Sequence, residues 1–234
     1  MTAAGLIDGV DMTDTQDIGM STVDLTTAEV GLKVILTDKL VRQENEDMFR
    51  VVGRQMGDAM ARKKDTDVIG LFAGFTGLTA GTAGAQLTLQ NLSGCIDIAK
   101  RNKFPNPVYF VHHPSALFRV SLNSAIIPSL TQGLLPQELD ADLLRDFYKF
   151  VVQQVTVFED GNITIDSSDD GVGALFSKNA AAFVDSVGYE GRQQRDESLR
   201  ATEQIVLADY GVFELDDGYG VAATYDCSAP STTA

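Results

Sequence analysis

The two histidines of the chain stand side by side, His112 and His113, inside the stretch PVYFVHHPSALFRVSL from Pro107 to Leu122. Paired imidazoles at the end of an apolar run raise two chemistries, a metal site and a general base. Neither finds its partners in the sequence. Adjacent residues of an extended backbone point to opposite faces, and no third histidine exists to complete a cluster. A catalytic histidine also needs a positioned nucleophile or acid, yet G-x-S-x-G, H-E-x-x-H and a reactive-cysteine context are all missing. An enzymatic reading, a small hydrolase or lyase, would have to join His112 or His113 to an acid such as Asp97 or Asp146. A structural reading needs less: one ring caps or packs at a strand-to-helix junction.

The other reactive residue types lead to the same place. Cys95 falls mid-helix among apolar neighbours and Cys227 in a polar tail, which predicts no structural disulfide and no metal-ligand spacing. The run LFAGFTGLTAGTAGAQ carries Gly74, Gly77, Gly81 and Gly84, but neither G-K-[ST] nor G-x-G-x-x-G, so no phosphate cradle is read there. No catalytic, cofactor-binding or metal-ligating residue is assigned.

The elements around these residues read as a mixture of helix and strand. Residues 1–27 are rich in Asp, Thr and Gly without a sustained period, and such a segment buries too little apolar area by itself to offset its ordering entropy. EVGLKVIL, from Glu29 to Leu36, reads as a short strand, and Thr37 with Asp38 supplies a helix N-cap and an acidic first turn. From Asp38 to about Phe72 the spacing of Val41, Met48, Val52, Met56 and Ala59 predicts one helix of about 30 residues, roughly 45 Å long. Gly53 and Gly57 sit one turn apart within it, each costing about 1 kcal/mol of helix propensity. Two explanations stay open: another backbone packs closely there, or the helix bends.

A second helix is expected from Thr88 to Asn102, with Leu89, Leu92, Ile96 and Ala99 on one face, ended by Pro105 and Pro107. VYFVH then reads as a buried strand and Pro114 as the first residue of a further helix. PQELDADLLRDFYKF reads as an acidic-starting helix, VVQQVTVFEDGNITID as a hairpin turning at Asp160-Gly161, and the remainder as strands joined by short turns such as Asp217-Gly218.

Charge narrows the partners. The chain of 234 residues carries a formal net charge of −15, which argues against a surface that tracks nucleic acid through phosphate contacts. No apolar run approaches the roughly 20 residues that span a bilayer, and the leading segment carries acids where a secretory signal carries lysines, so the chain reads as soluble and unexported. The acids are unevenly placed. Asp8, Asp11, Asp14, Asp17, Asp24 and Glu29 precede the first basic residue, Lys33, whereas Arg50, Arg54, Arg62, Lys63 and Lys64 make the next stretch basic. That asymmetry suits either a solvated helix face or complementary patches on identical subunits.

Taken in order, an acidic arm, a long helix entering a glycine-rich turn, a strand ending in His-Pro and a closing YGV…DGYGVAAT sheet resemble the major capsid protein of tailed bacteriophages. Encapsulins and the herpesvirus capsid floor share that fold. LTDKLVRQENEDMFRVVGRQMGDAMARKKDTDVIGLFAG is similar to the family's spine helix, VYFVHHPSALFRVSL to its strand, His-Pro and helix, and LFSKNAAAFVDSV…RDESLRATEQIVLADYGV to its later sheet. The resemblance implies an α+β fold: residues 1–36 an extended N-terminal arm or loop across a neighbour, 37–74 and 180–226 a peripheral domain of spine helix and sheet, 75–179 an axial α/β domain, and 227–234 a flexible tail.

It also implies a non-enzymatic, cofactor-free homo-oligomer that assembles in the host cytoplasm through pentamers and hexamers into the icosahedral shell of a virion. Such a shell encloses double-stranded DNA without sequence-specific binding and without a membrane. Scaffolding, portal and decoration proteins are the candidate further partners, and an encapsulin-like compartment is the alternative. The expected assembly contacts are Asp8, Asp11, Asp14 and Asp17 against Arg50, Arg54, Arg62, Lys63 and Lys64 of a neighbour, with Gly53 and Gly57 at a close approach. The chain is short for the family, and no motif marks Lys33, Lys39 or Asn179 as a cross-link site.

Overall fold

The computed structural model describes residues 24–44, 47–123 and 149–229. Two sheets organise them. A three-stranded sheet has the order β1 (Ala28–Thr37), β8 (Ala201–Glu214), β7 (Ala181–Asp196), and a six-stranded sheet the order β2 (Thr79–Gly81), β9 (Gly220–Asp226), β6 (Asp170–Ser177), β3 (Val108–His112), β5 (Val155–Glu159), β4 (Lys149–Val152).

Strand β1 (Ala28–Thr37) runs antiparallel to β8 (Ala201–Glu214), in register from Ala28 opposite Tyr210 to Thr37 opposite Ala201. Alternation sends Val30, Leu32, Val34 and Leu36 to one face, where they meet Val52, Met56 and Met60 of helix α2 (Met48–Gly70). Residues 28–36 therefore cover the chain's own body, and the expected extended loop does not run through to residue 36. Strand β7 (Ala181–Asp196) forms the other edge, with register shifts between Asp185 and Val187 and between Val187 and Glu190.

The single long helix divides in two. Thr37 caps α1 (Asp38–Gln43) by accepting from the Leu40 amide, but Glu44 is extended at φ −82 and ψ 144, and Asp47 starts α2 (Met48–Gly70) afresh by accepting from the Arg50 amide. The apolar period continues across the break because both pieces face the same sheet, which is why it reads as one helix. At 23 residues α2 is about 35 Å long. Met56 and Met60, 1% and 3% exposed, each contribute about 2 kcal/mol through burial.

In the six-stranded sheet, β3 (Val108–His112) lies between β5 (Val155–Glu159), which is parallel to it, and β6 (Asp170–Ser177), which is antiparallel. β2 (Thr79–Gly81) and β4 (Lys149–Val152) are the edges. Helix α3 (Leu89–Arg101), capped by Thr88, lays Leu92, Cys95, Ile96 and Ala99 on one face of the sheet together with Ala116 and Leu117 of α4 (Pro114–Asn123). Phe72 and Phe75, in and after the short 3-10 turn that follows α2, cover the other face against Ala174 and Ala222.

Two expectations change here. Strand β9 (Gly220–Asp226), placed with the spine helix by the family resemblance, pairs instead with β6 and β2 within the six-stranded sheet. The hairpin β4–β5 turns at Gln153-Gln154, whose φ of 49 and 73 match a tight two-residue turn, and not at Asp160-Gly161. Gln-Gln is not a turn signature, so the sequence offered Asp-Gly first.

Candidate functional site

His112 ends β3 with its ring fully buried, on the α3 side of the sheet with Val108 and Phe110. Its Nδ1 accepts from the His113 amide at 2.8 Å, so the proton sits on Nε2, which donates to the Ala223 carbonyl at 3.2 Å. Phe110 stacks on the ring with centroids 6.0 Å apart, and Tyr225 tilts against it at 5.8 Å. Burial holds the imidazole pKa down at about 4, so the ring is neutral near neutral pH. Close approach of the next strand completes the pocket: a Cβ on Gly173 would meet His112 Cδ2 and the Val111 carbonyl, each at 2.4 Å.

His113 points the other way and serves the next element, its Nδ1 accepting from the Ser115 amide in the first turn of α4. Both imidazoles therefore act structurally, one packed and one capping. Asp97 ion-pairs with Arg101 on the exposed side of α3 instead of meeting a histidine, and Asp146 lies outside the described residues. Cys227, read as part of a polar tail, is buried with its Sγ 4.0 Å from His112 Nδ1. Burial pushes that thiol up to about 11, which leaves it protonated and a poor nucleophile. Cys95 is likewise a free, buried thiol, in contact with the Tyr225 hydroxyl at 3.4 Å. Among the described residues no three of His, Cys, Asp and Glu gather as metal ligands.

The basic residues and glycines singled out for assembly lie along α2. Asp8, Asp11, Asp14 and Asp17 fall outside the described residues. Arg50, Arg54 and Arg62 are exposed and make no ion pair among the described residues. Gly53 and Gly57 lie on the outer face, where an added Cβ would meet nothing within 4 Å among the described residues. Lys63 is taken by Asp67 one turn on, at 2.5 Å.

Lys64 has a different setting, which no local signal announced. Its ammonium lies 4.4 Å from the Tyr189 ring centroid, 5.1 Å from Tyr210 and 5.5 Å from Phe183, with the Asp185 carboxylate at 3.4 Å. Tyr189 reaches the ammonium from β7, on the same side of the sheet as Phe183 and Asp185. Tyr210 donates its hydroxyl to Asp67 at 2.6 Å, and burial, followed by that bond, raises its pKa. Lys64 is thus committed within the chain, whereas Arg50, Arg54 and Arg62 are the expected contact cations with no ion pair among the described residues.

The described residues combine exposed charge with a packed core, in which the Cys227 thiol beside His112 is buried and protonated. A sequence model described as phage capsid protein matches residues 21–229. No curated protein matches the chain. Among solved structures, one from Mycobacterium phage Che8 is 19% identical, with a TM-score of 0.68 over 84% of this chain and 70% of that one. The capsid of Ralstonia phage GP4 gives 0.69 at 10% identity, over 89% and 76%. An encapsulin complex from Synechococcus elongatus gives 0.64 at 12% identity, over 89% and 77%. The likenesses to solved structures show a shared fold, and the sequence match over most of the chain goes further: this protein belongs to the phage capsid protein family.

Proposed function

We propose that the chain is the repeated subunit of a phage head, assembling through pentamers and hexamers into an icosahedral shell that encloses double-stranded DNA in the virion, with assembly in the host cytoplasm. The observation that carries this is the family match over residues 21–229. Function then resides in repeated interfaces, where each weak contact is multiplied by the lattice. A net charge of −15 fits a wall that contains DNA without gripping its phosphates.

In this reading α2 with β1, β7 and β8 forms the peripheral part and the six-stranded sheet the axial part. Arg50, Arg54 and Arg62 receive the acids of a neighbour's leading segment, and the open faces of Gly53 and Gly57 admit that neighbour's backbone. The encapsulin likeness supports the same shell architecture around a protein cargo, whereas the family match favours the phage container. Nuclease treatment of particles produced with the phage's other head components tests the assignment: DNA protected inside supports it, and intact particles holding only protein contradict it.

A further inference from the structure

Five non-glycine residues hold left-handed backbone among the described residues, and three of them, Lys103, Gln153 and Gln154, line one cavity of about 190 Å³. The cavity lies between the end of α3 and the β4–β5 turn. Each of the three occupies a position whose geometry favours another residue. Lys103, at φ 57, closes α3 where Phe104 donates back to the Ala99 carbonyl at 3.0 Å, a termination that favours glycine. Gln153 and Gln154 fill the two centres of a tight hairpin turn that favours Asn-Gly. All three are exposed, so core packing does not demand their side chains. Strain gathered at one place without a packing reason points to a binding role.

The lining states the chemistry. Lys100 and Lys103 supply ammonium groups, and Gln153, Gln154 and Asn106 supply carboxamides, above an apolar floor that includes Ile96 and Val155. The volume is below the range of cofactor pockets and admits about one inserted side chain. A carboxylate-bearing segment with an apolar residue beside the acid fits both parts. In a chain of net charge −15, the acidic surface of another copy is the complementary partner for this locally basic rim.

We propose that this cavity is a subunit–subunit contact, receiving an apolar side chain of a second copy while Lys100 and Lys103 hold the adjacent carboxylate. The proposal rests on the shell reading and adds a specific interface to it.

The test uses the full chain as dissociated subunits, comparing wild type with Lys103→Gly, the double variant Gln153→Asn/Gln154→Gly, and Lys100→Glu. Relieving the strained turns should raise the thermal midpoint of the subunit by about 2 °C. The same substitutions, and Lys100→Glu, should weaken self-association by sedimentation velocity about tenfold or more. Gain of stability together with loss of association is the signature, since a merely structural role would not lower association while raising the midpoint. Variants that associate as wild type does overturn this contact and leave the shell reading standing, whereas a wild type that stays monomeric at every concentration overturns both. Inorganic phosphate that stabilises wild type but not Lys103→Gly, with association unchanged, would make this a small-anion site and overturn the contact.

Discussion

The Lys64 ammonium sits 4.4 Å from the centroid of the Tyr189 ring, and this contact ties the β7–β8 hairpin to the second half of α2. Two further rings and Asp185 complete the enclosure, so the cation is held by four groups from two strands. Lys64→Met keeps the apolar stem and removes the charge. Its expected cost is about 1–2 kcal/mol in urea unfolding, with Tyr189→Ala losing a similar amount. A double variant no less stable than either single would show that the two losses are one interaction.

The buried His112 predicts an acid-sensitive core. Its native pKa of about 4 lies below the ordinary 6.5, so the native state binds its proton less readily than the unfolded chain does. The stability it supports is complete above about pH 6.5 and is withdrawn as pH falls towards about 4, a linkage of about 3 kcal/mol. His113, also lowered by burial, acts in the same direction. Unfolding free energies of wild type and His112→Gln, measured at about pH 7 and about pH 5, isolate the effect from the carboxylates. The wild type should lose more stability on acidification, and equal losses would place the charged imidazole at no disadvantage.

At Gly173 the space is already full. A Cβ there would strike both the His112 ring and the Val111 carbonyl at 2.4 Å, and a backbone carbonyl in a paired strand has little freedom to retreat. Gly173→Ala should destabilise by about 2–3 kcal/mol. A thermal midpoint equal to wild type would mean that β3 and β6 separate easily.

The opposite holds on α2. Gly53→Leu and Gly57→Leu meet open space and remove glycine from a helix, so the subunit should gain up to about 1 kcal/mol at each position. Particle yield should nevertheless fall, because the face they block is where a neighbour's backbone is proposed to lie. Undiminished yield would remove these glycines from the interface.

Local signals explain which parts were legible in the sequence. Thr88, Pro105 and the apolar face of Leu92, Ile96 and Ala99 place α3 within one residue at each end, and VYFVHHP gives β3 and α4, because caps, proline and alternation all lie inside the segment. The break at Glu44–Asp47 was hidden by a period that runs through it. Only pairing across the chain puts β9 beside β6 and buries Cys227 under the sheet, and no local pattern carries that information. Of the candidate contacts, Arg50 and Arg54 could be read as surface cations from helical spacing. The enclosure of Lys64 could not, since Phe183, Tyr189 and Tyr210 lie more than one hundred positions away and only the long-range packing of the β7–β8 hairpin on α2 brings them to it.

Cryo-electron microscopy of the purified, concentrated chain tests the central claim most directly. Closed particles, or rings of five and six copies, into which this fold fits with α2 and its neighbours' leading segments at the contacts, are the predicted result. A homogeneous population of solitary 25.2 kDa molecules under every assembly condition would contradict it.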